Sequence, residues 1–254
     1  MRWRRSERER ASRNHKIGVE ERRRIWAACS ALLDYPSDEL VENLDEVAGL
    51  VPAGSDLEAL VEHYRRTPLR DLQRDYVETF DHTRKCALYL TYFAYGDTRR
   101  RGVALVEFKQ AYRKAGVEWD EAEGELPDHL CAVLQFGATL DADGAWKLLN
   151  DHRAGIEMLR LALTSWRNDD RTTGSPWAHA LIALCATLPE LQGDQADAVR
   201  RLVEQGPPGE QVGLDGYGGP TAPDPALAMF NPPVVEVAAQ RPSRNHPEFI
   251  GMPS

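Results

Sequence analysis

The stretch AWKLLNDHRAGIEMLRLALTSW, residues 145–166, decides the fold class. Ala145, Leu148, Leu149, His152, Ile156, Leu159, Leu163 and Trp166 recur every three or four residues, which gathers them on one side of an α-helix. The spacing predicts one long amphipathic helix lying across the middle of a bundle. Upstream, Ile25, Cys29, Leu32 and Leu33, then Leu40, Leu44 and Val47, repeat the same pattern. Between these sets Tyr35, Pro36 and Ser37 make a turn, with Ser37 as N-cap and Asp38 and Glu39 at the positive end of the next helix.

Further helices follow from their start and stop residues. Ser55 and Glu58 have capping-box spacing ahead of Leu57, Leu60, Val61 and Tyr64. Thr67 followed by Pro68 predicts a cap with proline at the first helical position, opening a helix with Leu69, Leu72, Tyr76 and Phe80 inward. Asp97 caps a helix through Leu105, Phe108 and Tyr112 that stops at Gly116. Pro127 begins another, with Leu130, Val133, Leu134 and Gly137 on one face, and Asp128 falls in its favourable first turn. Ser175 and Pro176 start a helix through Trp177, Leu181, Leu184, Cys185 and Leu188 that ends at Pro189, and Asp194 to Gln205 forms a short last one. No strand is expected. The fold class is therefore all-α, a bundle of about eight to nine helices.

In a chain of 254 residues, 42% of them hydrophobic, the bundle has material for one core. Three regions are expected: a basic N-terminal extension over 1–18, an all-helical domain over 19–205, and a Pro/Gly-rich tail over 206–254. The tail holds ten of the sixteen prolines and seven glycines, too many for a packed core. Within it Leu227, Met229 and Phe230 form a short apolar spot. No window reaches the roughly 18 apolar residues of a membrane span, and Arg4 and Arg5 are not followed by the apolar region of an export signal. A cytoplasmic protein without targeting peptide or membrane insertion is expected. Cys29, Cys86, Cys131 and Cys185 are far apart, with no metal-type spacing, and read as reduced core thiols.

The net charge of −9 is uneven, because the first 24 residues carry +6 and leave −15 on the remainder. An acidic body disfavours nucleic acid as a partner. Chemistry concentrates in two places. Tyr76, Phe80, Tyr89, Tyr92, Phe93 and Tyr95 put six aromatics into twenty residues, and those after Asp81 break helical periodicity. Rings with hydroxyls can bury a face while the OH reaches a polar partner, which suits peptide capture. Arg99, Arg100 and Arg101 then stand at a helix start, where the macrodipole disfavours cations, so something should compensate: Asp97 at the cap, or else an anionic partner or an acid within the chain. Glu125, Asp128 and His129 bring acid and imidazole together. A rival reading makes Asp81, His82, Asp128 and His129 the ligands of a metal-dependent helical hydrolase.

The runs Tyr76-Val77-Glu78-Thr79-Phe80-Asp81, Gly96-Asp97-Thr98-Arg99 with Arg101-Gly102, and Glu125-Leu126-Pro127-Asp128-His129-Leu130, in that order and spacing, resemble the NarJ-type nitrate reductase assembly chaperones. These stand among the wider TorD-like redox-enzyme maturation chaperones. The resemblance covers about Ile25 to Pro189. It implies a single-domain, monomeric chaperone that is not an enzyme and keeps no cofactor of its own. Such a protein binds the N-terminal segment of the apo nitrate reductase catalytic (alpha) subunit. It holds that subunit for molybdenum cofactor insertion and assembly before membrane docking, with molybdenum cofactor delivery proteins as further partners. Carried over by position, the resemblance places the client peptide at Tyr76, Phe80, Tyr89, Tyr95, Glu125, Asp128 and His129. Asp97, Arg99 and Gly102 shape the adjoining loop. Ala87 departs from the pattern, in which serine is expected.

Overall fold

The computed structural model describes residues 17–96, 98–120, 124–165, 174–191 and 193–205. Asp97, Trp166, the arm before Ile17 and the tail with Leu227, Met229 and Phe230 lie outside the described residues. Helices run in the order α1 (Val19–Leu32), α2 (Asp38–Glu42), α3 (Leu44–Leu50), α4 (Leu57–Arg66), α5 (Leu69–Tyr76), α6 (Tyr92–Tyr95), α7 (Arg99–Lys114), α8 (Leu130–Thr139), α9 (Ala142–Asp151), α10 (Arg153–Thr164), α11 (Ala178–Ala186) and α12 (Asp194–Gln205). A π-helical turn, Val77–Asp81, prolongs α5, and a 3-10 turn, Arg84–Cys86, follows it. The fold is all-α as expected, in more and shorter pieces. Pairing between extended segments is confined, among the described residues, to one isolated antiparallel bridge between Tyr89 and His129.

α1 occupies the middle of the bundle, packed against α3, α8 and α11. Ile25, Trp26, Cys29 and Leu32 are buried on it at helical spacing. The Trp26 indole is fully buried and donates its N–H to the Thr187 hydroxyl at 2.9 Å, so the polar edge of a large apolar ring is satisfied. Gly137 on α8 lets that ring in, since a Cβ there would stand 2.6 Å from Trp26 Cε3 and 2.5 Å from Ala145 Cβ. Tyr64 and Tyr76 donate their hydroxyls to the carbonyls of Leu32 and Leu33 at 3.0 and 3.1 Å, which satisfies acceptors left over at the end of α1. The four cysteines are free and buried.

Several local readings hold. Ser37 caps α2 by accepting from Leu40 N at 3.1 Å. The C-terminus of α7 closes with Val117 N donating to Tyr112 O and Gly116 N to Arg113 O, while Gly116 takes φ +85°. That pair of bonds is the Schellman arrangement, which requires the left-handed residue that glycine supplies. The last helix spans Asp194–Gln205 as read.

Others are corrected. The periodic stretch from Ala145 is two helices, because His152 adopts φ −106° and ψ 18° and ends α9. Its ring turns inward against Phe108, 5.2 Å between centroids, and hydrogen-bonds the backbone of Leu90. Beyond the break Gly155 meets Phe93, whose Cβ and Cδ2 lie 3.1 Å from where a glycine Cβ would stand. Pro68, not Thr67, is the cap of α5. Glu58 reaches back to Gly54 N rather than to Ser55 N, and Ser55 accepts from Leu57 N. Pro127 does not start a helix: α8 begins at Leu130, after a turn.

Gly137→Ala should destabilise the protein by about 1–3 kcal/mol, the usual cost of overpacking a close-packed site. A lowered urea midpoint with an unchanged m-value checks this.

Candidate functional site

Two extended segments, one on each side of α7 in sequence, meet and pair. Leu90 N donates to Asp128 O at 3.0 Å and Leu130 N to Leu88 O at 2.7 Å, bracketing the Tyr89–His129 bridge. The run 125–129 is thereby held by its carbonyls. Trp119 Nε1 donates to Glu125 O at 3.3 Å, His129 N to Leu126 O at 3.0 Å, Tyr112 OH to Pro127 O at 2.6 Å, and Val133 N to His129 O at 3.1 Å. With the bond from Leu90, each carbonyl from Glu125 to His129 has a donor. A buried backbone outside a helix needs such partners.

Asp128 has no exposed surface. Its Oδ2 accepts from Thr91 N at 3.0 Å and from the Thr91 hydroxyl at 2.5 Å. Thr91 Oγ1 in turn accepts from Arg101 Nε at 3.1 Å, and Arg101 Nη2 lies 3.6 Å from Asp128 Oδ2. The guanidinium also covers the Tyr89 ring, 5.1 Å from its centroid. One arginine therefore clamps a hydroxyl, a buried carboxylate and an aromatic face together. This is the acid within the chain that the arginine run called for, and Arg101 alone of the three reaches it. Arg99 and Gly102, read as shaping the loop, lie exposed in the first turn of α7.

The expected site residues divide into two groups. Tyr89, Glu125, Asp128 and His129 come together: Tyr89 OH donates to Glu125 Oε1 at 3.0 Å, and the Tyr89 and His129 rings meet edge to face at 5.3 Å. Burial first, then the charge and hydrogen bond of Glu125, push the Tyr89 phenol well above its ordinary pKa, so it remains a donor. Tyr89 and Glu125 are partly exposed, as is Tyr95 at the end of α6, whereas Asp128 and His129 are buried. Gly96 stops α6 with φ +56°, which a side chain would resist. Tyr76 and Phe80 belong elsewhere. They are buried with Trp177, at centroid distances of 5.7 and 5.5 Å, and are part of the core.

Thr91 and Trp119 went unassigned in sequence, Tyr112 and His152 were read only as positions on helices, and Arg101 only as part of the arginine run, whose need for a counter-charge was the signal for its role. For the metal reading, Asp81 and His82 are exposed at the end of the π-helical turn, while Asp128 is sealed under Thr91 and Arg101. Among the described residues no group of three or more His, Cys, Asp or Glu is placed to hold a metal ion. Nor is any described helix long and apolar enough to cross a membrane.

An all-α protein built on a single core, with two extended segments clamped at a buried carboxylate, is the class these features define. The chain belongs to the nitrate reductase delta subunit family, which it matches over residues 33–183. It is 36% identical over 165 residues to the nitrate reductase-like protein NarX of Mycobacterium tuberculosis, covering 64% of this chain and 24% of that one. It is 29% identical over 190 residues to the probable nitrate reductase molybdenum cofactor assembly chaperone NarJ of Bacillus subtilis, covering 68% of this chain and 92% of that one. With the NarJ chaperone of Escherichia coli it shares 32% identity over 130 residues, 48% of this chain and 54% of the relative. The chain thus spans about a quarter of the NarX-like protein.

Two outcomes are expected from the clamp. Asp128→Ala leaves the Arg101 charge and Thr91 N–H without their acceptor and should cost about 3 kcal/mol, while Thr91→Val, which keeps the backbone bond, should cost about 1 kcal/mol. Equilibrium denaturation of both variants measures this order.

His152 gives a pH dependence. Burial first holds it below its ordinary pKa, against the opposing charge of Asp128, so the unfolded chain takes up its proton more readily. Stability is then full above about pH 6.5 and is lost as pH falls from there toward the folded-state value. His63, also held low by burial, acts in the same direction. His152→Phe should flatten part of the fall between about pH 7 and pH 5, read by denaturation at a series of pH values.

Proposed function

We propose that the chain is a cytoplasmic chaperone for nitrate reductase assembly. It binds the N-terminal segment of the apo catalytic subunit and holds it for molybdenum cofactor insertion before membrane docking. Family membership and the names of the relatives, two of them molybdenum cofactor assembly chaperones, support the client. The observation that carries the mechanism is the partly exposed Tyr89–Glu125 pair, standing on a clamped base and continued along the same connection by Tyr95.

A client leader that folds as a short amphipathic helix with basic residues would lay its apolar face on the rings and its cations against Glu125. The contact residues are then Tyr89, Tyr95 and Glu125. Asp128, His129 and Arg101 act beneath them as the support that keeps the rings in place, and Tyr76 and Phe80 act further away as core. Residues 19–205 form the chaperone domain in this reading. The cofactor is cargo of the client, and release requires that binding remain modest.

Titration of a fluorescent leader peptide from a nitrate reductase catalytic subunit tests the proposal. Micromolar affinity is expected, weakening with salt because rim charges are screened beyond about 8 Å at physiological ionic strength. Glu125→Gln and Tyr95→Ala should each weaken binding about fivefold or more, as removal of an interface anchor does, with unchanged melting temperatures. Wild-type affinity no better than that for a scrambled peptide would remove the client assignment, and unaltered binding by both variants would remove the site.

A further inference from the structure

Helix α7 buries Ala104, Phe108 and Tyr112 against the body. Its opposite face is not polar throughout: Val103 is 74% and Val106 47% exposed. With Arg99, Gln110 and Arg113, all exposed, the two valines fall at intervals of four, three, four and three residues. That is the stagger of a seam along which a second helix packs. Gly102 borders the seam with open space where a Cβ would stand, so a neighbouring backbone can come close. Arg100 and Glu107, exposed on the other border, are one heptad apart and opposite in charge.

We propose that this face pairs antiparallel with the same face of a second copy of the chain. A two-fold axis between Val103 and Val106 sets Val103 over Val106 of the second copy, and the reverse. Arg99 then faces Gln110, and Arg100 comes within reach of Glu107, twice over by symmetry. The charge order selects this direction. A parallel pairing would lay Arg99 on Arg99 and Arg113 on Arg113 along the seam and would part Arg100 from Glu107, and like charges so placed oppose association. An isologous contact closes at two copies. One helix pair buries less than the roughly 1,000 Å² of a stable interface, so the dimer is weak and forms with rising concentration. It uses none of the residues of the Tyr89–Glu125 rim.

Sedimentation equilibrium of the full chain from about 5 to 500 μM, a range suited to small interfaces, tests this. The average mass should rise from that of one chain toward that of two. Val103→Glu should remain monomeric throughout, with circular dichroism reporting an intact fold, and Val106→Lys serves as the second variant. Arg100→Glu should weaken association about tenfold by setting two pairs of acids together, and adding Glu107→Arg should restore it. A constant monomer mass, an association indifferent to Val103→Glu and Val106→Lys, or a double charge variant no better than the single one would overturn the proposal.

Discussion

Burying the Asp128 carboxylate obliges three parts of the chain to meet. A carboxylate without exposed surface is tolerated only where donors or a counter-charge replace its hydration. Here the donors are the N–H and hydroxyl of Thr91 and the counter-charge is Arg101. Thr91 opens α6, Arg101 lies in the first turn of α7, and Asp128 precedes α8. Meeting the needs of one charge therefore fixes where two helices begin and how the segment before each lies. The Leu88–Leu90 segment is caught between, paired with Asp128 and Leu130 on one side and hydrogen-bonded by His152 on the other. This is also why the partly exposed Tyr89 ring has one orientation: its hydroxyl is held by Glu125 and its face by Arg101.

The second constraint is the passage of Trp26 through the core. An indole fully enclosed by α1, α8 and α11 leaves no space for a side chain at position 137 and needs Thr187 at its polar edge. Around the same core Tyr76, Phe80 and Trp177 close a separate aromatic cluster. The density of rings between Tyr76 and Tyr95 thus has two causes. The first part, carried by α5 and its π-helical turn, fills the interior, and the later part supports the paired segments and reaches the surface.

Local signals were legible in sequence where one residue does a job that few others can. Ser37 accepts from a first-turn N–H, and Gly116 takes a left-handed conformation, and both stand where they were read. Helix existence and facing were legible too, because period and burial agree through α1, α4, α8 and α11. What failed depended on distant partners. The apolar pattern runs unbroken past His152, yet the helix ends there, since the ring is claimed by Leu90 and Phe108, which are more than forty residues away. Pro127 looked like a helix start by local rules, and tertiary pairing with Leu88 and Leu90 overrode them. Of the candidate site, the acids, Tyr89 and His129 were found as a group. The exposure of each could not be read, because it is set by what the fold lays over Asp128 and leaves open at Glu125.

Three consecutive arginines at the start of α7 have no acidic residue in that first turn to offset the helix dipole. Successive side chains on a helix are turned by about 100°, so once Arg101 points inward to Asp128 the two before it must point elsewhere. Arg99 and Arg100 are consequently exposed, on the side where Val103 and Val106 also emerge. The composition of that outer face is then a geometric result of the inner clamp: a helix rotated to deliver one guanidinium to a buried carboxylate cannot also hide its valines. Ala104, Phe108 and Tyr112 are buried on the side of α7 that carries Arg101, and the Tyr112 hydroxyl donates to Pro127 O, so the packing of the helix and the clamp call for the same rotation.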